Sequence, residues 1–222
     1  MLMVAGYELA RAAEIPWEDR VNVDGWPSRA GMYRNDTEHN LCMRLIDYPV
    51  GSTEPRHVHA GSHATTVMKG KTIVDGLTLG PLDVILGPSN EPHGPLHYPE
   101  GCQLFSAFVG SYFHSEVEQL SDERHYKLIQ SERIPWVRQQ PRVQTKTLID
   151  GDVVHLRLQA LKAEREAELT SPDMLAAVIV EGEASIEDER LGPWDFLYVL
   201  EGVDRAPIRF PSGATLLTVS LL

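Results

Sequence analysis

The chain has 222 residues, 20 Lys+Arg against 32 Asp+Glu and a formal charge of −12. An acidic balance of this size argues against a phosphate-binding surface for nucleic acid and against an anionic membrane face. Hydrophobic content of 42% supplies a packed core, no apolar run reaches the ~18 residues of a membrane span, and Cys42 and Cys102 alone make no disulfide framework. The start, MLMVAGYELARAAE, lacks a basic n-region and a cleavage site, so the chain is expected to be cytoplasmic with reduced thiols.

Fifteen prolines and seventeen glycines cut the chain into short segments, the punctuation of an all-β protein. Strands are predicted in chain order at 41–46, 65–68, 83–86, 103–109, 153–158, 176–180, 195–200 and 214–219. Several of these alternate polar with apolar residues, the mark of a strand with one buried face. Ser115 to Ile129 is charged, with Val117, Leu120 and Leu128 at roughly helical spacing, and reads as a linker with room for one short helix. Residues 161–169, LKAEREAEL, have helix propensity, but propensity is a weak prior against the repeat described next.

Shifted by 112 positions, residues 70–101 fall on 182–213 without a gap. Gly70 meets Gly182, Leu79-Gly80-Pro81 meets Leu191-Gly192-Pro193, Asp83 meets Asp195, Pro99 meets Pro211 and Gly101 meets Gly213. Ile15-Pro16-Trp17 also recurs as Ile134-Pro135-Trp136, each indole predicted to lie on a barrel wall. Two copies of one β unit follow, with predicted bounds of 1–113 and 133–222 and a linker at 114–132.

Four of the nine histidines fall in one pattern. His57-Val58-His59 puts two imidazoles on one face of a strand; His63 follows four residues later and His93 thirty after that. A single strand histidine is often just hydrogen-bonded or exposed. Four at these spacings form a candidate chelate for a first-row divalent metal. Thr65 and Val67 follow His63 with period two and are expected to line an apolar part of the same pocket. His97, four residues past His93, is a candidate for steering protons or orienting ligands, a surface histidine being the equal alternative. Cys42 and Cys102 read as small buried residues.

The spacing Gly51-x5-His57-x-His59-x3-His63-x6-Gly70 resembles the first motif of the cupin superfamily, with His63 where that motif has glutamate. Pro88 and His93 match the second motif, while Leu82 and Asn90 stand at its two glycines and His97 at its asparagine. Residues 88–93 and 99–102 are similar to the cupins of acetylacetone dioxygenase and of the zinc-binding domain of certain anti-sigma factors. The resemblance implies an all-β bicupin of two jelly-roll-like barrels, with His57, His59, His63 and His93 holding one metal in the first. At the offset of 112 the second copy has Leu169, Ser171, Leu175 and Arg205 at those positions, so it is expected to bind no metal.

The resemblance also implies a function: a non-haem Fe(II) dioxygenase cleaving a small β-diketone- or hydroxyketone-like substrate, acting as a homodimer. Mn, Ni and Co share the six-coordinate preference that leaves positions for substrate. Four histidines around Zn would instead make a closed structural or sensory site, and a metal-dependent isomerase or lyase is a third reading.

Overall fold

A computed structural model describes residues 2–222 except Val23, Asp152, Val153 and residues 170–172. Val153, predicted to open a strand, and Ser171, the predicted counterpart of His59, lie outside the described residues. Strands dominate; among the described residues there is no α-helix, and a 3-10 turn occupies Ser131–Arg133. No helix is long and apolar enough to cross a membrane.

Two compact units form, Pro16–Glu132 and a second made of Met1–Ile15 with Arg133–Leu222. In the first, a seven-stranded antiparallel sheet runs in the order Lys127–Ile129, Val84–Gly87, Ser62–Gly70, Cys102–Val109, Leu41–Tyr48, Pro27–Asp36 and Trp17–Val21. A four-stranded sheet packs against it: Leu77–Leu79, Thr72–Val74, Leu96–Tyr98 and Ser52–Glu54. Val67, Ile85, Cys102 and Leu104 from the larger sheet meet Val74, Leu79, Leu96 and Tyr98 from the smaller in one buried cluster. Burial of these side chains drives the sandwich, at about 1.5–3 kcal/mol each.

The second unit repeats this plan with an eight-stranded and a four-stranded sheet. Its core joins Leu161, Ile179, Leu197 and Leu216 to Leu169, Ile186, Ile208 and Phe210. The repeat is visible atom by atom. Asp83 Oδ2 accepts a hydrogen bond from Gly80 N at 2.8 Å, and Asp195 Oδ2 accepts one from Gly192 N at 3.0 Å. Leu82 and Trp194, at one equivalent turn position, are both left-handed with φ 71° and 66°. Arg29 stacks over Trp17 at 4.5 Å as Lys146 does over Trp136 at 4.9 Å. Residues 161–169 are strand rather than helix, in the stretches Leu156–Ala163 and Ala167–Leu169. Pairing with neighbouring strands overrides their propensity.

Gly70 makes one of the tightest backbone approaches of the fold. At φ 78°, a Cβ there would lie 2.1 Å from the Gly101 carbonyl oxygen, and a Cβ on Gly182 would lie 2.3 Å from the Gly213 carbonyl oxygen. The obstacle is backbone, so it cannot swing aside. Gly70→Ala is expected to cost about 3 kcal/mol from left-handed strain plus overpacking. A denaturant midpoint unchanged from wild type would show that this crossing is not tight.

Two boundaries differ from the sequence expectation. Residues 2–10 form Leu2–Val4 and Tyr7–Ala10, and Tyr7–Ala10 pairs with Phe196–Val199, so residues 1–15 belong to the second unit and not to the first barrel. Residues 114–132 are not a linker but part of the first barrel. His114–Glu116 pairs with His57–His59, and Lys127–Ile129 pairs with Val84–Gly87. The Glu91 carboxylate fastens this return by accepting from Ser121 Oγ at 2.7 Å and His125 N at 3.1 Å. In each unit a strand from outside the repeat thus covers an otherwise bare sheet edge, a common remedy for unpaired backbone groups.

Candidate metal centre

His57 and His93 face each other across an antiparallel bridge, each backbone N–H donating to the other's carbonyl at 3.0 and 2.9 Å. Strand alternation brings His59 to the same side as His57, ring centroids 4.8 Å apart. One ligand atom from each of His57, His59 and His93 lies within 4.8 Å of the others. Small rotations of these side chains suffice to reach one ion, whose bonds to nitrogen are about 2 Å. The backbone also prepares the tautomers. His57 Nδ1 lies 2.8 Å from the Pro55 carbonyl and His93 Nδ1 3.3 Å from that of Glu91. A carbonyl only accepts, so Nδ1 carries the proton and Nε2 keeps the lone pair for a metal.

His63 completes the cluster, its ring 4.6 Å from that of His59 and 4.8 Å from that of His93. It is 1% exposed, and both ring nitrogens are buried without a hydrogen-bond partner. Burial, then the neighbouring His93 and His57, pushes its pKa well below the ordinary value, so the imidazole is neutral with a lone pair to offer. An orphaned neutral imidazole beside three others is the donor chemistry that a borderline-soft divalent cation satisfies. Gly87 makes the room: a Cβ there would fall 2.2 Å from His63 Cε1.

The histidines open onto a cavity of about 350 Å³ inside the first barrel. Thr65 lines it and its hydroxyl lies 2.9 Å from that of Ser106, as the period-two reading expects. Val67 does not line it; it shares the face of Thr65 but sits deeper, fully buried in the apolar cluster below. The walls are also less apolar than expected. Arg20, Arg44, Glu54, Tyr48, Tyr98 and Ser106 join Ile85, Leu104 and Phe108. His97 is corrected outright. Alternation along Leu96–Tyr98 turns Leu96 and Tyr98 inward and leaves His97 exposed, its Nδ1 3.2 Å from Thr53 Oγ1. It does not line the cavity.

The sequence reading missed Glu54, Arg44 and Gly87. A signal existed for Arg44, a lone cation inside the apolar run Leu41–Ile46. Glu54 is 8% exposed, receives the hydroxyl hydrogen bond of Tyr48, and is pushed up to about 7 by burial. A carboxyl raised from 4.5 to about 7 favours the fold while protonated; that advantage is complete below pH 4.5 and lost as pH rises through 7. The span corresponds to about 3 kcal/mol at most. The lowered His63 titrates in the same range and is common to both proteins, so the expected effect is relative: metal-free wild type loses its advantage over Glu54→Gln between about pH 4.5 and 7. Equal declines in denaturant midpoint would remove Glu54 as the source.

Among the described residues the second barrel groups no such histidines, and the strand register gives a reason. Ser52–Glu54 and Ala167–Leu169 make the same pairing with their partner strands, Glu54 opposite Leu96 and Leu169 opposite Ile208. Ala64 and Ala176 are likewise equivalent, opposite Ala107 and Val219. Glu54 to Ala64 is ten steps, Leu169 to Ala176 only seven, so the histidine-bearing segment is three residues shorter. Leu169 is thus the counterpart of Glu54 and not of His57. Leu175 and Arg205 do stand where His63 and His93 would be. Burial raises Cys42 to about 11 and Cys102 to about 12, so both thiols are inert.

No protein-family model matches the chain, and no curated protein matches it by sequence. Solved structures do. A provisionally assigned dioxygenase from Nostoc punctiforme superimposes with a TM-score of 0.79 at 12% identity, over 99% of this chain and 84% of that one. The fold is a tandem cupin. A mutant oxalate decarboxylase from Bacillus subtilis matches this chain with a TM-score of 0.66 at 10% identity, over 100% of this chain and 78% of its own. A mutant salicylate 1,2-dioxygenase from Pseudoaminobacter salicylatoxidans gives 0.58 at 14%, over 85% and 72%.

Proposed function

We propose that the first barrel of this bicupin is a metal-dependent enzyme centre, a non-haem Fe(II) dioxygenase acting on a small β-diketone- or hydroxyketone-like substrate. The observation that carries the reading is the convergence of His57, His59 and His93 at the wall of an internal cavity. The ligand side chains share the cavity with polar and charged groups, which suits exchange with a small molecule better than a sealed structural site. When bound, a divalent iron would supply Lewis acidity toward two chelating oxygens and a site for O₂.

The protein residues contribute binding and exclusion. His57 and His93 are oriented by their carbonyl partners. Phe108, 5.0 Å from the His59 ring, and Ile85 shield that side from water. Glu54, raised to about 7 by burial and hydrogen-bonded by the Tyr48 hydroxyl, can hold a proton within the cavity near neutral pH. The dioxygenases among the structural neighbours are in keeping with this chemistry, and the oxalate decarboxylase keeps a lyase reaction as the variant to test.

A second reading follows from His63. Four imidazoles can close a tetrahedral Zn²⁺ shell and make the centre structural or sensory. Metal analysis of untagged protein by mass spectrometry, followed by O₂ uptake with diketones after anaerobic Fe²⁺ loading, separates the two. Stoichiometric iron with diketone-dependent O₂ uptake is expected. Zinc that resists exchange, with no O₂ uptake on iron loading, would overturn the enzyme reading in favour of the sensor.

A further inference from the structure

Arg44 sits mid-strand in Leu41–Tyr48, 4% exposed, with buried residues on either side. Its Nε is buried without a hydrogen-bond partner, and among the described residues it makes no hydrogen bond or ion pair. Its guanidinium carbon stacks over the Tyr112 ring, 4.5 Å from the centroid. A buried guanidinium without a paired carboxylate is strongly unfavourable, whereas exposed arginines of this chain do find carboxylates. Arg29 holds Asp47 at 2.8 Å and Arg157 holds Asp150 at 2.7 Å. Glu54 does not neutralise Arg44: it is engaged by Tyr48 and is absent from the charges that act on Arg44. Arg20, the other cation of the cavity, pairs with Glu18 at 3.2 Å; at Arg44 the Arg20 charge outweighs the weaker, opposite effect of the Glu18 carboxylate.

The register places Arg44 relative to the histidines. Arg44 lies opposite Ser106, which lies opposite Thr65; two residues further along the same strands, Cys42 lies opposite Phe108, which lies opposite His63. Arg44 is therefore two strands, about 10 Å, across the sheet from His63 and one pleat repeat, about 7 Å, along it. An aromatic wall joins the two ends. Phe108 lies 5.7 Å from the His63 ring, and Tyr112 lies 6.5 Å from Phe108 and beneath Arg44. All of these except Cys42 line the one cavity.

We infer that Arg44 binds the carboxylate of the substrate, so that the natural substrate is a small oxo- or hydroxycarboxylic acid with its chelating oxygens at the histidines and its acid group at Arg44. The planar fork of a guanidinium takes a carboxylate through two parallel hydrogen bonds, and the missing counter-charge arrives with the ligand. The inference rests on the proposed metal centre for the chelating end only; the anion end stands on Arg44 itself.

The test uses 4,6-dioxoheptanoate, a β-diketone with its carboxylate two methylenes away, and its methyl ester. Binding of both is measured by calorimetry to wild type, Arg44→Met, Arg44→Gln and Arg44→Lys, each loaded with Co²⁺ and again metal-free. Melting temperature serves as the folding control. Wild type is expected to prefer the acid by at least about tenfold, or about 1.4 kcal/mol. Arg44→Met and Arg44→Gln should lose that preference, and Arg44→Lys should keep part of it. A folded Arg44→Met or Arg44→Gln that retains the full preference overturns the assignment. So does wild type that favours neither ligand or binds neither. Failure of the protein to take up metal would sink the metal-centre reading alone, because the acid-over-ester preference is read independently in the metal-free arm.

Discussion

Replacing His57 or His93 with alanine is expected to abolish metal retention, loosening binding by more than about 100-fold in each case. Each imidazole is one of three whose ligand atoms lie within 4.8 Å. Loss of a hydrogen-bonded group behind a ligand already costs 10- to 100-fold, and loss of the ligand costs more. The fold should survive, because the bridge between these two residues is backbone to backbone and does not depend on either ring. Metal per chain after gel filtration decides the matter, with an Arg205 substitution in the second barrel as the control that keeps wild-type metal. Full occupancy in either histidine variant would strike that residue from the ligand set.

Gly87→Ala is the second large effect. The new methyl would stand 2.2 Å from His63 Cε1 and 2.9 Å from both ring nitrogens. His63 has nowhere to go: it is 1% exposed, with His59, His93 and Phe108 around it. Overpacking of this kind costs about 1–3 kcal/mol. If His63 is a ligand, metal affinity falls with stability. The double variant Gly87→Ala with His63→Ala should recover most of the lost denaturant stability, because the clash is gone; residues in contact couple in this way. Additive losses in the double variant would show that the ring of His63 does not occupy the space above Gly87.

The interior of the repeat was legible because turn chemistry repeats with it. Gly70, Asp83 and Gly101 each do a backbone job that their partners at 182, 195 and 213 do again. The histidine spacing was legible for a related reason, since two imidazoles at i and i+2 on a strand share a face wherever that strand is placed. Even the departures from the motif glycines hold their backbone shape. Leu82 and Asn90 remain left-handed at φ 71° and 60°. Asparagine tolerates that region, and leucine is carried there by the surrounding turn.

Partner choice was less legible. Tyr7–Ala10 is not among the strands predicted from sequence, and its pairing with Phe196–Val199 spans nearly the whole chain. Register and partner are set by which edge stands open, not by local pattern. Charge along 115–129 suggested a linker because its polar residues face outward, while Tyr126 is buried and Leu128 packs against the core. His97 failed by parity alone, since a shift of one residue on a strand moves a side chain to the opposite face.

By itself, then, the amino-acid sequence determined an all-β chain, two copies of one barrel and a histidine cluster in the first, because turn residues and strand period act over a few neighbours. Only the tertiary structure decided that residues 1–15 complete the second barrel, that Glu54 and Arg44 share the histidines' cavity, and that Val67 lies beneath it. Each of those depends on burial depth and on contacts between strands far apart in the chain, which no local pattern carries.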